Sequence, residues 1–420
     1  MSTTAFLGMS HLGINYAAAW SSFGQPTIGF DPDPELVMRL QSGELPIQEP
    51  GLPELIGQSG DCLTFSANVE ELRGCDLVIV ARDVPTDDDN NSDLTPVRTL
   101  IDLAAQHLSN EAVLVVMSQI PPGFMRELST RLGNRVYYWV ETLIFGDAVR
   151  RALHPERIIV GCAEPEVALP HVFASGLAHF GCPLLTMRYE SAELTKTAIN
   201  LYLIGSVTYA NTLSDLCESV GANWSEMVPA LRLDARIGPA AYLRPSVGIA
   251  GGNLERDLVT LRKMCDEGGV DATYLDGLID YNARRLEWVQ RQLDRRVLTS
   301  GASPRLAVWG LTYKKNTRST KNSPSLRVIA ALEHRAQVQA WDPVIGPGEL
   351  EIAADVLSDQ YQVLDDVDAL LVMADWDQFA EADLARVRDR MRRPLVIDCA
   401  GVLERRRSEM QAIEYVGMGQ

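Results

Sequence analysis

Thr4-Ala5-Phe6-Leu7-Gly8-Met9-Ser10-His11-Leu12-Gly13 begins the stretch that decides the fold, and Thr27-Ile28-Gly29-Phe30-Asp31 closes it. Residues 5–7 read as a short apolar strand, 14–23 as a helix, and 27–30 as a second strand ending on an acid. Strand, turn, helix and strand, with Asp31 18 residues beyond Gly13, is the arrangement of a dinucleotide-binding unit. Gly8 is placed for the tight turn and Gly13 for close packing of helix on sheet. Asp31 is placed to accept from a ribose hydroxyl, and its charge repels a 2′-phosphate, which favours NAD over NADP. Ser10 stands where the middle glycine of the fingerprint belongs, at some cost in closeness to the pyrophosphate. The alternative is a βαβ unit without a ligand, and an acid at this spacing argues against it.

Around this unit the chain has the composition of a globular protein. At 420 residues it is too long for one ordinary core, so two or three domains are expected. It is 46% hydrophobic and 22% charged, and its formal net charge of −18 makes nucleic-acid binding unfavourable. A few placed Arg and Lys residues can still hold a small anionic ligand. No run approaches the roughly 18 apolar residues of a membrane helix, and a strand starts almost at once without a basic leader. No membrane association and a cytoplasmic location are therefore expected. The seven cysteines lack any CxxC pair, which argues against a zinc site or a disulfide framework. No metal is expected.

Farther along, Gln41-Ser42-Gly43-Glu44-Leu45-Pro46-Ile47-Gln48-Glu49-Pro50-Gly51-Leu52 is a Pro/Gly-punctuated loop between helices. Residues 75–81 read as a buried parallel strand and 87–93 as an acidic, solvated loop. Residues 112–117 form another strand, followed by Ser118-Gln119-Ile120-Pro121-Pro122-Gly123. After Glu141-Thr142-Leu143-Ile144-Phe145-Gly146-Asp147-Ala148 and His154-Pro155-Glu156-Arg157-Ile158-Ile159-Val160-Gly161 comes a long helical pattern, 193–220. It is apolar and small-residue-rich throughout, which suits a domain or dimer interface. Lys196 and Asn200, four apart, project from one face of it. Asp234-Ala235-Arg236-Ile237-Gly238-Pro239 precedes a Gly-rich loop, Val247-Gly248-Ile249-Ala250-Gly251-Gly252-Asn253-Leu254-Glu255-Arg256-Asp257, that runs into a helix. Such a loop lets the backbone approach a ligand closely. Residues 273–298 read as one long amphipathic helix, and Ser300-Gly301-Ala302-Ser303-Pro304 as a linker. A second α/β half comes after it, with strands at 305–309, 338–342, 368–373 and 396–398, a loop Gly310-Leu311-Thr312-Tyr313-Lys314-Lys315-Asn316-Thr317, and a helix from near Ser325.

In order and spacing, from about residue 5 to 403, these segments resemble the UDP-glucose/GDP-mannose dehydrogenase family. The resemblance runs through N-x-G-x-x-P-I-x-E-P-G-L, S-T-V-P-x-G-T, E-F-L-x-E-G-x-A, P-D-R-I-V-I-G, E-x-x-K-x-x-x-N, D-x-R-I-G-P and G-F-G-G-S-C-F-P-K-D. It ends in G-L-x-F-K-x-x-T-x-D-x-R-x-S-P and D-G-R-N. It implies an α/β chain of two Rossmann-like, doubly wound domains joined by a central long-helix dimerisation region. The implied division is 1–190 for NAD, 191–299 for the central region with catalytic loop 247–257, and 300–420 for the nucleotide end of the substrate. A homodimer, or a larger assembly built from it, is implied as well. By the same resemblance NAD contacts fall on Gly8, Ser10, His11, Leu12, Gly13, Asp31, Ser118 and Lys321. Contacts to a nucleotide sugar or related nucleoside fall on Arg236, Tyr242, Gly248, Gly251 and Lys314. Catalytic positions are Lys196, Asn200, Asp257, Glu141 and Asn253, with Lys196 and Asn200 binding sugar and stabilising a developing oxyanion.

The departures from the family pattern share a meaning. The cysteine falls on Asn253, whose amide is neither nucleophilic nor ionisable near neutral pH. The threonine that positions water becomes Gln119, the second glutamate Phe145, and the nucleotide-end acid and arginines Ser319, Lys321 and Ala400. Lysine does not reproduce a forked arginine contact. Family members oxidise a primary alcohol twice, the second time through a cysteine thiohemiacetal. Cys265, twelve residues beyond Asn253, and Cys399 are poor replacements. The expected activity is an NAD-dependent oxidation by single two-electron steps. The rivals are a redox-neutral enzyme that retains NAD and a silent binding homologue.

Overall fold

The computed structural model describes residues 2–87, 89–298 and 303–420. Its contacts divide the chain into two compact units, one ending at Ile199 and the other spanning Asn200–Gln420. Of the linker expected over 300–304, residues 300–302 lie outside the described residues.

The first unit is built on eight strands: β1 (Thr4–Leu7), β2 (Thr27–Phe30), β3 (Leu63–Ser66), β4 (Leu77–Val80), β5 (Val113–Val116), β6 (Val136–Trp139), β7 (Ile158–Cys162) and β8 (Leu184–Arg188). They lie in the order β3-β2-β1-β4-β5-β6-β7-β8. All neighbours are parallel except β6 and β7. Every residue of β1, β4 and β5 is buried, as strands covered on both faces require, so they read as continuous apolar runs. The helix α1 (His11–Ser21) is buried along its whole length and starts three residues earlier than the sequence pattern indicates. His11 and Leu12 therefore belong to its first turn. Phe6, Trp20, Trp139 and Phe173 anchor the core beside α1. The acidic loop closes through a Thr86–Ser92 bridge, with Asp88 outside the described residues.

The long helix α2 (Tyr189–Val220) begins a turn before the expected start and contains the last residues of the first unit and the first of the second. The second unit continues with α3 (Asn253–Gly268), α4 (Thr273–Arg284) and α5 (Glu287–Arg296). The single helix expected over 273–298 is thus two helices. The cause is Arg285, which is 3% exposed. Its guanidinium donates to Asp215 at 2.7 and 2.8 Å and to the Ser246 carbonyl at 2.8 Å. The chain tightens there into i→i+3 bonds, Arg285 N to Asn282 O and Trp288 N to Arg285 O. Helical periodicity alone carries no sign of such a tether.

Six parallel strands complete the unit: β9 (Arg305–Trp309), β10 (Gln337–Trp341), β11 (Asp355–Val356), β12 (Ala369–Val372), β13 (Leu395–Asp398) and β14 (Glu414–Gly417). Their order is β11-β10-β9-β12-β13-β14, with α6 (Pro324–Leu332) packed against the sheet. In both sheets the order reverses beside the first strand, at β1/β4 and at β9/β12, where doubly wound folds place ligands. Among the described residues no helix is long and apolar enough to cross a membrane, and no cluster of three His, Cys, Asp or Glu side chains is placed to hold a metal ion.

Candidate active site

The dinucleotide turn lies at the carboxyl end of β1. Gly8 has φ +94°, and a Cβ there would meet the Arg82 side chain at 2.9 Å. A Cβ on Gly13 would lie 2.0 Å from the Gly8 carbonyl oxygen, so both positions demand glycine. Asp31 is 3% exposed and organises the turn from the end of β2. Its carboxylate accepts from Met9 N at 2.8 Å, Asp33 N at 3.1 Å and the Arg82 guanidinium at 3.4 Å. Ser118 Oγ accepts from Arg82 N at 3.0 Å. Ser10 Oγ accepts from Asp83 N at 2.9 Å, and Asp83 Oδ2 accepts from Leu12 N at 3.0 Å. Gly8, Ser10, Leu12, Gly13, Asp31 and Ser118 are thus brought together by Arg82 and Asp83, two residues that sequence reasoning missed. A glycine cradle that any side chain would fill, with a buried acid at its edge, fits the adenosine diphosphate part of NAD. Lys321, assigned to the same cofactor from sequence, belongs to the second unit, where its amide donates to Ser319 Oγ at 3.4 Å.

His11 fills the next layer. Its Nε2 lies 2.9 Å from Glu49 Oε2, and its ring centroid is 4.1 Å from that of Phe145. Glu49 also accepts from Gly146 N at 3.0 Å and Ala148 N at 2.9 Å. Burial pushes the Glu49 carboxyl up, but the His11 bond and the two amides outweigh it and hold the group below its usual range. Phe145 thereby packs at a tilt of 31° against an imidazole already held by a buried carboxylate.

Lys196 is 9% exposed and reaches Glu141 at both ends: Nζ lies 2.7 Å from Oε1 and donates to the Glu141 carbonyl at 3.1 Å. Leu143 N donates to Glu141 Oε2 at 2.9 Å, which fixes the carboxylate that faces the Lys196 ammonium. One turn earlier on α2, buried Glu193 accepts from Gly123 N and Met125 N, both at 2.7 Å. It thereby ties this helix to the end of the loop that carries Ser118 and Gln119. The fully buried Tyr16 phenol is pushed far up by burial and then by the Glu141 charge, so it is no proton carrier.

In the second unit, Asn200 Nδ2 donates to Asp257 Oδ2 at 2.5 Å, and Arg256 Nε lies 3.4 Å from Asp257 Oδ1. All three side chains are buried. Asp257 lies one turn along α3 from Asn253, the exposed first residue of that helix. An anion there would be favoured by the helix end, and a thiol would ionise more readily, but an amide gains neither benefit. Gly248 (φ +110°) and Gly251 (φ +84°) shape the loop before it. A Cβ would meet Asn282 Oδ1 at 2.5 Å in the first case and the Tyr313 ring at 2.9 Å in the second. Asn282 Oδ1 accepts from Ile249 N at 2.8 Å, and left-handed Asn322 donates to the Gly251 carbonyl at 3.3 Å. Glu255 joins the two asparagines: it accepts from Asn282 Nδ2 at 3.4 Å and from Asn322 Nδ2. Asn282, Asn322 and Glu255 have no local signal in the sequence, because their roles arise only when three distant segments meet.

The remaining expected substrate contacts are more open. Arg236 forms a two-pronged ion pair with Asp234, at 2.7 and 3.0 Å, and its side chain is 89% exposed. Tyr242 lines a shallow cavity with Arg232 and Arg244. Lys314 Nζ lies 5.7 Å from the centre of the Tyr313 ring.

Two Rossmann-like sheets, a glycine-turn cofactor cradle and a charged Lys–Glu pair define a dinucleotide-dependent oxidoreductase. Comparison with known families makes this specific. Residues 2–174 match the NAD binding domain, 190–284 the central domain and 307–405 the UDP binding domain of the UDP-glucose/GDP-mannose dehydrogenase family. The chain belongs to that family, and it is accordingly an NAD-dependent oxidoreductase of the nucleotide-sugar dehydrogenase type. It is 28% identical to a UDP-glucose 6-dehydrogenase of Pseudomonas aeruginosa over 438 residues, covering 98% of this chain and 96% of that one. It is 26% identical to the UDP-glucose 6-dehydrogenase TuaD of Bacillus subtilis, covering 99% and 92%. The solved UDP-glucose dehydrogenase of Pyrobaculum islandicum superposes with a TM-score of 0.84 at 25% identity, over 99% of this chain and 97% of that one. The UDP-N-acetyl-mannosamine dehydrogenase Cap5O of Staphylococcus aureus shares the fold, with a TM-score of 0.78 at 20% identity and coverage of 100% and 98%.

Proposed function

We propose that this chain oxidises a carbinol of a nucleotide sugar or related nucleoside by single two-electron steps and releases a carbonyl product. The observation that carries the reading is Asn253 at the first position of α3, beside a complete Asn200–Asp257 contact, with the Lys196–Glu141 pair also complete. The nicotinamide of bound NAD supplies the hydride acceptor. Lys196, held in place by Glu141, stabilises the alkoxide-like oxygen as the C–H bond breaks. Asp257 takes the hydroxyl proton, directly or through one water that Asn200 helps to hold. Asn253 donates to the carbonyl product but cannot trap it as a covalent adduct, so oxidation stops at two electrons.

The working form in this reading is a cytoplasmic homodimer. The second-unit part of α2 exposes Tyr202 (71%), Tyr209 (45%), Leu216 (53%) and Val220 (68%) at intervals of seven, seven and four, a stripe that a second copy would cover. Exposed Arg236 would then be available to a neighbouring subunit. The domain division we propose is 1–190, 191–299 and 300–420.

The deciding experiment measures stoichiometry. Purified protein is incubated with NAD and a panel of nucleotide sugars, and NADH and product mass are recorded together. One NADH per aldehyde or ketone is expected. A uronate with two NADH per sugar would overturn the reading, and an isomerised or dehydrated product without net NADH would replace it with the redox-neutral cycle.

A further inference from the structure

In a dinucleotide-binding βαβ unit the pyrophosphate lies on the amides at the helix N-terminus. In this chain one of those amides, Leu12 N, already donates to a carboxylate, Asp83 Oδ2, at 3.0 Å. The contact is reciprocal, because Asp83 N donates to Ser10 Oγ at 2.9 Å. α1 has no acid in its own first turn, and the Ser10 side chain makes no cap to it, so Asp83 serves the helix end from 71 residues away. The neighbouring Arg82 occupies the other end of the cradle. Its guanidinium lies 3.4 Å from Asp31, the acid placed to read the ribose, and its amide is held by Ser118 Oγ at 3.0 Å. The loss of the middle glycine and the presence of the acid belong together: the hydroxyl that replaces glycine is the group that anchors Asp83.

We propose that Asp83 is an affinity-determining residue of the cofactor site, an internal carboxylate that occupies the diphosphate position and must be displaced when NAD binds. Two anions cannot share one helix end, so the cost of moving Asp83 is subtracted from cofactor affinity. NAD is then a loosely held, exchangeable cosubstrate. The inference concerns the NAD-binding domain and does not depend on the number of electrons transferred.

The test is calorimetric titration of the full-length protein with ADP-ribose, NADH and adenosine. Asp83→Asn keeps an acceptor for Leu12 N without the charge, and Asp83→Ala vacates the position. ADP-ribose and NADH should bind Asp83→Asn more tightly, by roughly 2- to 30-fold, the range expected for one charge at a helix end. Adenosine, which lacks the diphosphate, should bind wild type and variant alike. Unchanged or weaker ADP-ribose binding by Asp83→Asn would overturn the proposal and make Asp83 part of the cradle. Equal tightening of adenosine would overturn it too, by placing the effect away from the diphosphate. If Asp83→Ala fails to fold, Asp83→Asn alone decides.

Discussion

At the end of β1, Gly8 turns the chain with φ +94°, and at the end of β9, Gly310 turns it with φ +96°. The acid that ends the next strand, Asp31 in the first unit and Asp342 in the second, accepts backbone amides of the turn in each case. From there the two regions diverge. The first turn enters α1 three residues after its glycine, so a helix end faces the ligand position. The second runs on for more than a dozen residues before α6 begins at Pro324. Those residues are stitched by Tyr313 N to Ser319 O and Ser323 Oγ to Leu311 O. The same strand–glycine–acid scaffold thus makes a rigid anion cradle in one place and a long loop in the other. Recognition chemistry resides in the residues beyond the glycine.

The sharpest way to break this comparison is Gly13→Ala, since Gly13 has no counterpart in the second turn. A Cβ placed 2.0 Å from a backbone oxygen cannot be relieved by a side-chain rotation, so α1 must shift off the sheet. The expected loss is more than about 3 kcal/mol, together with NAD binding. Urea unfolding followed by tryptophan fluorescence measures it. A loss below about 1 kcal/mol would mean that α1 slides without penalty and that the cradle is less rigid than its geometry implies.

The two acids come next. Asp342 is 4% exposed and accepts Leu311 N at 2.7 Å, Thr312 N at 3.1 Å, Thr312 Oγ1 at 3.2 Å, Val344 N at 2.9 Å and Ile345 N at 3.2 Å. Asp342→Ala strands several buried donors and should cost about 2–3 kcal/mol as the loop partly relaxes. Asp31→Ala removes the acceptor of Met9 N and Asp33 N and a partly exposed arginine, and should cost about 1–2 kcal/mol. The reverse order in denaturant midpoints would show that the cradle depends on its acid more than the loop does.

Much of the scaffold is legible before any coordinates, for physical reasons that also explain the rest. Residues 5–7 of β1, and all of β4 and β5, are continuous apolar runs because both faces are covered, and Asp31 is conspicuous because an acid follows a largely buried strand. β8 lacks such a run, since Thr186 and Arg188 interrupt it, in keeping with Leu184 and Leu185 being 42% and 44% exposed. The break at Arg285 is hidden because it depends on Asp215, 70 residues away. Of the site, Lys196, Asn200 and Asp257 stand out through helical spacing and motif. Asp83 and Glu255 read as ordinary surface charges, since nothing local reveals that one meets a helix end and the other two asparagines.

The smallest expected effect concerns two glutamates whose surroundings act oppositely, buried Glu49 in the first unit and half-buried Glu255 in the second. Glu49 in the first unit is held as an anion by His11 and two amides, although burial works against it. Glu255 in the second is pushed up from its ordinary value near 4.5, chiefly by burial, which the Arg327 and Lys321 charges and the Asn322 and Asn282 amides offset only in part. A carboxyl raised on folding contributes its full share of stability while it is protonated in both states. That share is lost as pH climbs from near 4.5 through the raised folded value. Glu255→Gln mimics the protonated form and has no such dependence. Its stability relative to wild type should therefore improve between pH 4 and pH 8, by less than about 1 kcal/mol. Glu49→Gln should behave in the opposite sense, losing ground as pH rises and the wild-type carboxylate becomes the better acceptor. Urea midpoints decide the matter, taken from pH 4 to pH 8 for Glu255→Gln and upward from below the ordinary value near 4.5 for Glu49→Gln. Parallel curves for Glu255→Gln and wild type would mean that Arg327 and Lys321 compensate burial in full, and the contrast would then rest on Glu49 alone.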